Sequence, residues 1–359
     1  MLYKPDFDEI VPRMEAFWRG ELLDRACISV TSPNGRPRRE LPVPRTPFGR
    51  RAEIGYVLDA AEAKMESTYY AGEAIPVFRP DLGPDLFAVL MGSPLEFQEA
   101  TTWARPAIKS WDDAPSFEID TSSFAWQWHL EIYPRAVERA AGRYFVAPPD
   151  CHSGGDCLLA MRGGAALCMD LYDNPEAIHA AMRGLEKAVR EFHAAWWPLI
   201  EANGQRGHTT SWLTTWSPGR SNAIQLDLLA MISPEMFREF FLHELDVQCD
   251  ALDQTIFHLD GPDAVKHLPV LYELSERHGR KPQGIQWEPG VGQRPMLKWI
   301  PLLKEIQSHG LNVWVSCDPQ EVEKLLRELS SRGLFIRTWA RGPEDADALV
   351  RLAATLAHD

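Results

Sequence analysis

The sequence predicts an α/β protein of the (β/α)8 TIM-barrel class with an amino-terminal extension, and three observations predict it. Short apolar runs alternate with amphipathic helical stretches through the carboxyl half, the order expected of parallel βαβ units. The helices open on one repeated local signal. Polar and aromatic residues stand just after many different strands, as a barrel requires when every strand-to-helix loop faces a single mouth. A length of 359 residues suits one such domain spanning 1–359, with residues 1–25 as a helical extension.

The first buried strand is Cys27-Ile28-Ser29-Val30, and Pro76-Val77-Phe78 and Tyr144-Phe145-Val146 continue the series. Ala223-Ile224-Gln225-Leu226, Thr255-Ile256-Phe257, Gly284-Ile285, Val313-Trp314-Val315 and Leu334-Phe335-Ile336 extend it. Between them, the stretch from Pro175 to Glu201 carries Ile178, Met182, Leu185, Val189, Phe192 and Trp196 three or four apart, which places them on one helical stripe. Asn174-Pro175-Glu176, Ser233-Pro234-Glu235, Asp318-Pro319-Gln320 and Gly342-Pro343-Glu344 each pair a capping position with a proline at the first helical residue. Asp318 and Glu321 have the separation of a capping box. No glycine-rich phosphate loop follows Val30, so an open doubly wound sheet is the less favoured architecture. No pattern of alternating hairpins competes.

Composition narrows the partners. At 45% hydrophobic and 25% charged the chain can fill a large core. A formal charge of −14 repels nucleic acid and anionic membrane surfaces in the absence of a dense basic patch. Nothing approaches the roughly 18 uninterrupted apolar residues of a membrane span. Met1 to Glu21 carries Asp6, Asp8 and Glu9 and does not read as a signal peptide, and the six cysteines are scattered, so a cytoplasmic protein with reduced thiols is expected. A homodimer is the generic expectation for such an enzyme.

The candidate site residues stand at strand ends: Asp81, Asp150 with His152, Trp212, Asp227, His258 with Asp260, Trp287 with Glu288, and Cys317. His258 and Asp260 are two apart on a strand and share a face, so they can hold a metal or move a proton; a core histidine and a helix-capping aspartate are the plainer account. Asp227 can orient substrate or accept a proton, or simply cap a loop. Glu288 can complete a metal site or act as a base, or be a solvated loop acid. Cys317 is a soft ligand or a small residue at a strand end. Among thirteen tryptophans, Trp212, Trp216 and Trp287 fall at strand ends or loops, where they can wall an apolar pocket or pack beneath loops. Arg220 and Arg294 lie in Gly- and Pro-rich loops where an anion could be held.

A family resemblance rests on three segments. Gln225 to Phe240, reading QLDLLAMISPEMFREF, looks like the stretch of the uroporphyrinogen decarboxylase and corrinoid-dependent methyltransferase superfamily in which an acidic strand end leads into an ISPEMFREF helix. Met161-Arg162-Gly163-Gly164 followed by Met169 to Glu176 is similar to its RG…DLYDNPE element. With Phe257-His258-Leu259-Asp260-Gly261, the resemblance runs from about Asp150 to the end.

That resemblance implies a barrel with a deep cavity. The decarboxylases' arginine-rich amino-terminal motif is absent in its usual form between Arg25 and Arg51, which disfavours tetrapyrrole decarboxylation. The methyltransferases hold zinc with a His-x-Cys pair and a cysteine near the last strand. This chain has His258-x-Asp260, and its last strand, Phe335 to Gly342, has no cysteine. The resemblance therefore implies a harder zinc site of His258, Asp260 and Glu288, with Asp227 as a further catalytic group and His152, Trp212, Trp216, Trp287 and Cys317 around the substrate. The reaction it implies is methyl transfer between a small methylated substrate and a corrinoid (cobalamin) on a partner protein. A metal-independent decarboxylase or lyase using Arg220 or Arg294, and a non-catalytic binding barrel, are the alternatives.

Overall fold

The computed structural model describes residues 1–202 and 204–359. Its strands, in chain order, are β1 Cys27–Pro33, β2 Thr68–Gly72, β3 Val77–Phe78, β4 Leu95–Phe97, β5 Thr102–Ala104, β6 Phe145–Val146, β7 His208–Thr209, β8 Trp216–Ser217, β9 Ser221–Gln225, β10 Gln254–Asp260, β11 Gly284–Glu288, β12 Asn312–Ser316 and β13 Leu334–Trp339. Seven of them form one sheet in the order β2-β1-β13-β12-β11-β10-β9, in which every neighbouring pair is parallel except β1–β2. The capped helices begin where the sequence places them, at Pro175, Pro234 and Pro343, with a 3-10 turn at Pro319. Ser233 Oγ accepts the Met236 N–H at 3.3 Å, and Glu321 accepts the Asp318 N–H at 3.0 Å.

The expected closed ladder of eight strands is not formed. β3 pairs only with β6, as a separate two-stranded parallel sheet. The physical reason lies at two seams. On one side β1 gives its edge to the antiparallel β2, from Ser29–Gly72 to Pro33–Thr68, and so does not ladder with β3. On the other, side-chain amides stand where backbone pairing would be. Gln205 accepts the Val146 N–H at 3.1 Å and donates to the Val146 carbonyl at 3.3 Å, while Asn222 and Gln225 of β9 donate to the Pro149 carbonyl (3.3 Å) and to Asp150 Oδ1 (3.0 Å). Two further antiparallel pairs, β4–β5 and β7–β8, are hairpins that no turn motif announced.

Alternation along the strands divides the interior into two packed regions. Phe257, Leu259, Ile285, Trp287, Val313, Val315 and Cys317 point outward into the large core shared with the helices. Cys27, Ala223, Ile256, Trp314 and Phe335 point inward, toward the amino ends of the strands, and form a smaller cluster with Phe7, Ile10, Met14, Phe17 and Trp18. Those last five lie on the amino-terminal helix Phe7–Arg19, which closes that end. Trp314 and Phe335 stack at 5.7 Å with planes 7° apart. The loop of the β7–β8 hairpin crosses above them: Leu213 and Trp216 join the cluster, and the Trp314 indole donates to Thr215 Oγ1 at 2.9 Å. Among the described residues no helix is long and apolar enough to cross a membrane.

Candidate functional site

The site lies above that aromatic floor, where β9, β10 and β11 end side by side. Their register sets His258 opposite Gln286 and Asp260 opposite Glu288, and Asp227 follows β9 by two residues. Inward-facing polar side chains on three adjacent strands thus converge without any need for the ladder to close. His258 Nε2 lies 3.9 Å from Asp227 Oδ1, and one ligand atom each of Asp227, His258 and Asp260 falls within 4.8 Å of the others. A second group, His152, Asp156 and Asp227, meets the same distance limit and shares Asp227.

Three contacts orient these groups. His258 Nδ1 is hydrogen-bonded to Gln286 Oε1. An amide oxygen only accepts, so Nδ1 carries the proton and Nε2 presents its lone pair toward Asp227. The Asp156 carboxylate accepts the backbone N–H groups of Asp227 (2.9 Å) and Leu228 (3.0 Å), which pins the turn that carries the Asp227 side chain. Trp212 packs edge-on against His258, with ring centroids 5.7 Å apart. Asp227 Oδ1 is buried yet has no hydrogen-bond partner among the described residues. A buried carboxylate oxygen left without a partner is costly, and its position facing an imidazole lone pair is one a cation would relieve.

The electrostatics follow from crowding acids in a dry place. Burial, and then the charge of Asp227, pushes the Asp156 carboxyl up to about 7. Asp260 is raised by burial first, then by Asp227 and Glu288, with His258 opposing. Asp150 is raised by burial although His152 and Arg79 pull the other way. For His152, burial disfavours the charged ring, but Asp150, Asp156, Asp227 and Asp85 together outweigh it and raise its value. Proton affinity is thus elevated at Asp150, His152, Asp156 and Asp260, the condition under which such groups can give and take protons.

Not every residue expected at the mouth reaches it. His152 does, with Nε2 3.8 Å from Asp150 Oδ1, and so does Trp212. Glu288 stands beside Asp260, but Arg294 holds both its oxygens at 3.2 and 3.3 Å, and neither three-residue group includes it. Asp227, rather than Glu288, is the carboxylate that groups with His258 and Asp260. Trp287 is a correction: it follows Gln286 on β11 and so faces outward, fully buried against Trp299 at 4.9 Å. Cys317 also packs outward, and burial pushes its thiol up to about 12, so it stays protonated and ligates poorly. Trp216 lies in the floor, where Phe7 packs on it at 5.9 Å and Trp18 donates to its carbonyl at 2.7 Å. Arg220, at the amino end of β9, is committed to Glu201 at 2.8 and 3.0 Å. Asp81 caps its own loop and pairs with Arg79 at 2.8 Å.

Sequence reasoning missed Asp156, Gln286 and Arg337. Gln286 carried a signal, because it is the in-phase neighbour of Glu288 on the strand. Asp156 carried none, since its partners are backbone groups 71 and 72 residues away.

No protein-family profile matches this sequence, and no curated protein matches it. A solved structure described as a methyltransferase from Methanosarcina mazei shares the fold, with a TM-score of 0.62 at 14% identity over 96% of this chain and 97% of that one.

Proposed function

We propose that this chain is a methyltransferase that passes a methyl group between a small methylated substrate and a corrinoid on a partner protein, with a divalent metal, zinc in the first instance, held by His258, Asp227 and Asp260. The observation that carries the reading is the convergence of those three ligand atoms within 4.8 Å around the partnerless Asp227 Oδ1. One imidazole nitrogen with carboxylate oxygens is a donor set that zinc accepts, and fewer than four protein ligands leave room for substrate. The fold shared with a methyltransferase supports the same reading, as does the resemblance of the Gln225–Phe240 segment. In this reading the strand arc, β6 and β3 are the wall of a (β/α)8 barrel opened at two seams.

A bound divalent cation would polarise the atom that carries the methyl group. The chain's own residues do the rest. His258 offers Nε2 because Gln286 fixes its tautomer. Asp156 holds the Asp227 turn in place. Asp260 supplies the second carboxylate of the ligand set, and the Trp212 ring excludes water from one side of His258.

The test combines elemental analysis with turnover. Purified protein is expected to carry stoichiometric zinc, and to form methylcobalamin when supplied with cob(I)alamin and a panel of methoxy, methylthio and methylamine compounds. Stoichiometric zinc that survives His258→Ala removes the ligand set. No methylcobalamin from any member of the panel removes the reaction.

A further inference from the structure

Among the described residues, Arg337 is a cation at the mouth that has no counter-ion within 4.0 Å. It sits on the inward face of β13, opposite Ser29 of β1 and Ser316 of β12 in the ladder. Its Nη1 donates to the Trp212 carbonyl at 3.0 Å, and its guanidinium lies over the Trp314 ring, 4.6 Å from the centroid. Neither partner carries a full negative charge. Among the described residues Arg337 makes no ion pair within 4.0 Å, whereas Arg294 and Arg220 both do. Glu288 acts on it electrostatically, but both Glu288 oxygens are bound to Arg294. Burial is heavy enough to pull the guanidinium below the usual arginine range.

A guanidinium has five N–H donors, and leaving most of them without a protein acceptor on a half-buried arginine carries a desolvation cost. Its placement relative to the reacting cluster gives that cost a purpose. Trp212 touches Arg337 through its carbonyl and His258 through its ring, so the cation and the His258–Asp227–Asp260 group flank one residue. The reacting cluster itself gathers Asp156, Asp227 and Asp260, with Asp150 held by Gln225 of β9, so an anion is disfavoured there relative to Arg337. An anionic ligand therefore has one favourable orientation, with its charge on Arg337.

We propose that Arg337 is a substrate-binding residue that selects small molecules bearing a carboxylate or a comparable oxyanion, and that it directs their other end to His258. The planar fork matches a carboxylate with two parallel hydrogen bonds, and the Trp314 face fixes the plane in which the fork lies. The assignment of the far end as the reacting end rests on the proposed function; anion selection does not.

Two nearly isosteric probes separate these claims: methoxyacetate, and the neutral 2-methoxyethanol. Binding to the full chain is read by calorimetry and by quenching of tryptophan emission, since Trp212 and Trp314 both touch Arg337. Methoxyacetate is expected to bind at least about tenfold tighter than 2-methoxyethanol, in EDTA-treated and zinc-loaded protein alike. Arg337→Gln is expected to erase that preference, and Arg294→Gln to retain it. Equal affinity for the two probes, or a preference that survives Arg337→Gln, overturns the proposal. So does a preference that appears only with zinc and ignores the substitution, because the metal would then hold the anion. If Arg337→Gln does not fold, Arg337→Lys decides: a several-fold loss for methoxyacetate alone supports the fork, and no change overturns it. Intact anion selection without methyl transfer overturns the proposed function and leaves this inference standing.

Discussion

The same strands build two unlike layers, and the contrast tells a site from a core. In the floor, Trp18, Trp216 and Trp314 each bury a large ring and each indole N–H finds an acceptor, at 2.7, 2.8 and 2.9 Å. One side-chain layer higher, among the described residues, Asp227 Oδ1 accepts no hydrogen bond and Arg337 makes no ion pair within 4.0 Å. The floor is not free of unpaired groups, since Ser211 Oγ on the β7–β8 loop and Ser221 Oγ on β9 are buried without a hydrogen bond, but those are neutral hydroxyls, whereas the groups left short of partners in the mouth are ionisable. Ionisable groups left short in one layer, above a floor whose indoles are all paired, fit a layer that a ligand would complete.

Substitutions should separate the layers in the same way. The largest effect is expected in the floor: Trp314→Ala removes the ring stacked on Phe335 and the bond to Thr215, and should cost about 3–5 kcal/mol in denaturant unfolding. A loss under about 1 kcal/mol would mean the floor is not the stabilising layer. Next comes a buried acid beneath the mouth. Glu244, bonded to Ser153 and Gln248, is raised by burial from 4.5 to about 7. The folded state therefore keeps a proton that the unfolded chain has released, so stability is greatest below about 4.5 and falls as pH rises to about 7. Glu244→Gln should flatten that slope and leave the protein about 2–3 kcal/mol more stable than wild type at pH 8, read from urea midpoints across pH. An unchanged slope would assign it to another group.

In the mouth the effects should fall on activity. On the proposed ligand set, His258→Ala is expected to lower turnover at least about a hundredfold and to abolish zinc retention, with little change in melting temperature. A matching drop in melting temperature would make His258 a core residue. The smallest effect is expected at Trp287: because it faces the helices, Trp287→Phe should cost about 1–2 kcal/mol of stability and leave KM unchanged. A KM shift would return that side chain to the substrate wall.

Much of this architecture was legible in the residues. The Asn174, Ser233, Asp318 and Gly342 helix starts and the strand cores were readable because their causes are local: a proline at the first turn, a run of apolar residues. The pairing of His258 with Asp260 was readable from strand periodicity alone. That same periodicity places Trp287 on the opposite face from Gln286 and Glu288, so the information was present even where the expectation failed. Trp216 was misplaced because a hairpin without an Asn-Gly or similar turn sends its loop across the interior. Asp156 and Arg337 were invisible for another reason. Their importance comes from partners far away in the chain, two backbone amides for one and a tryptophan ring and a distant carbonyl for the other.

The glutamine and asparagine stitches at β6 and β9 have a mechanical consequence. A ladder resists shear because many backbone bonds must break together, whereas a seam of four amide contacts can part and re-form singly. β10 to β12 then form one continuous ladder carrying His258 and Gln286, while the β6 strip leading to His152 is joined to β9 through separable side-chain contacts. Amide protons of Phe145 and Val146 should accordingly trade with solvent faster than those of Phe257 and Ile285.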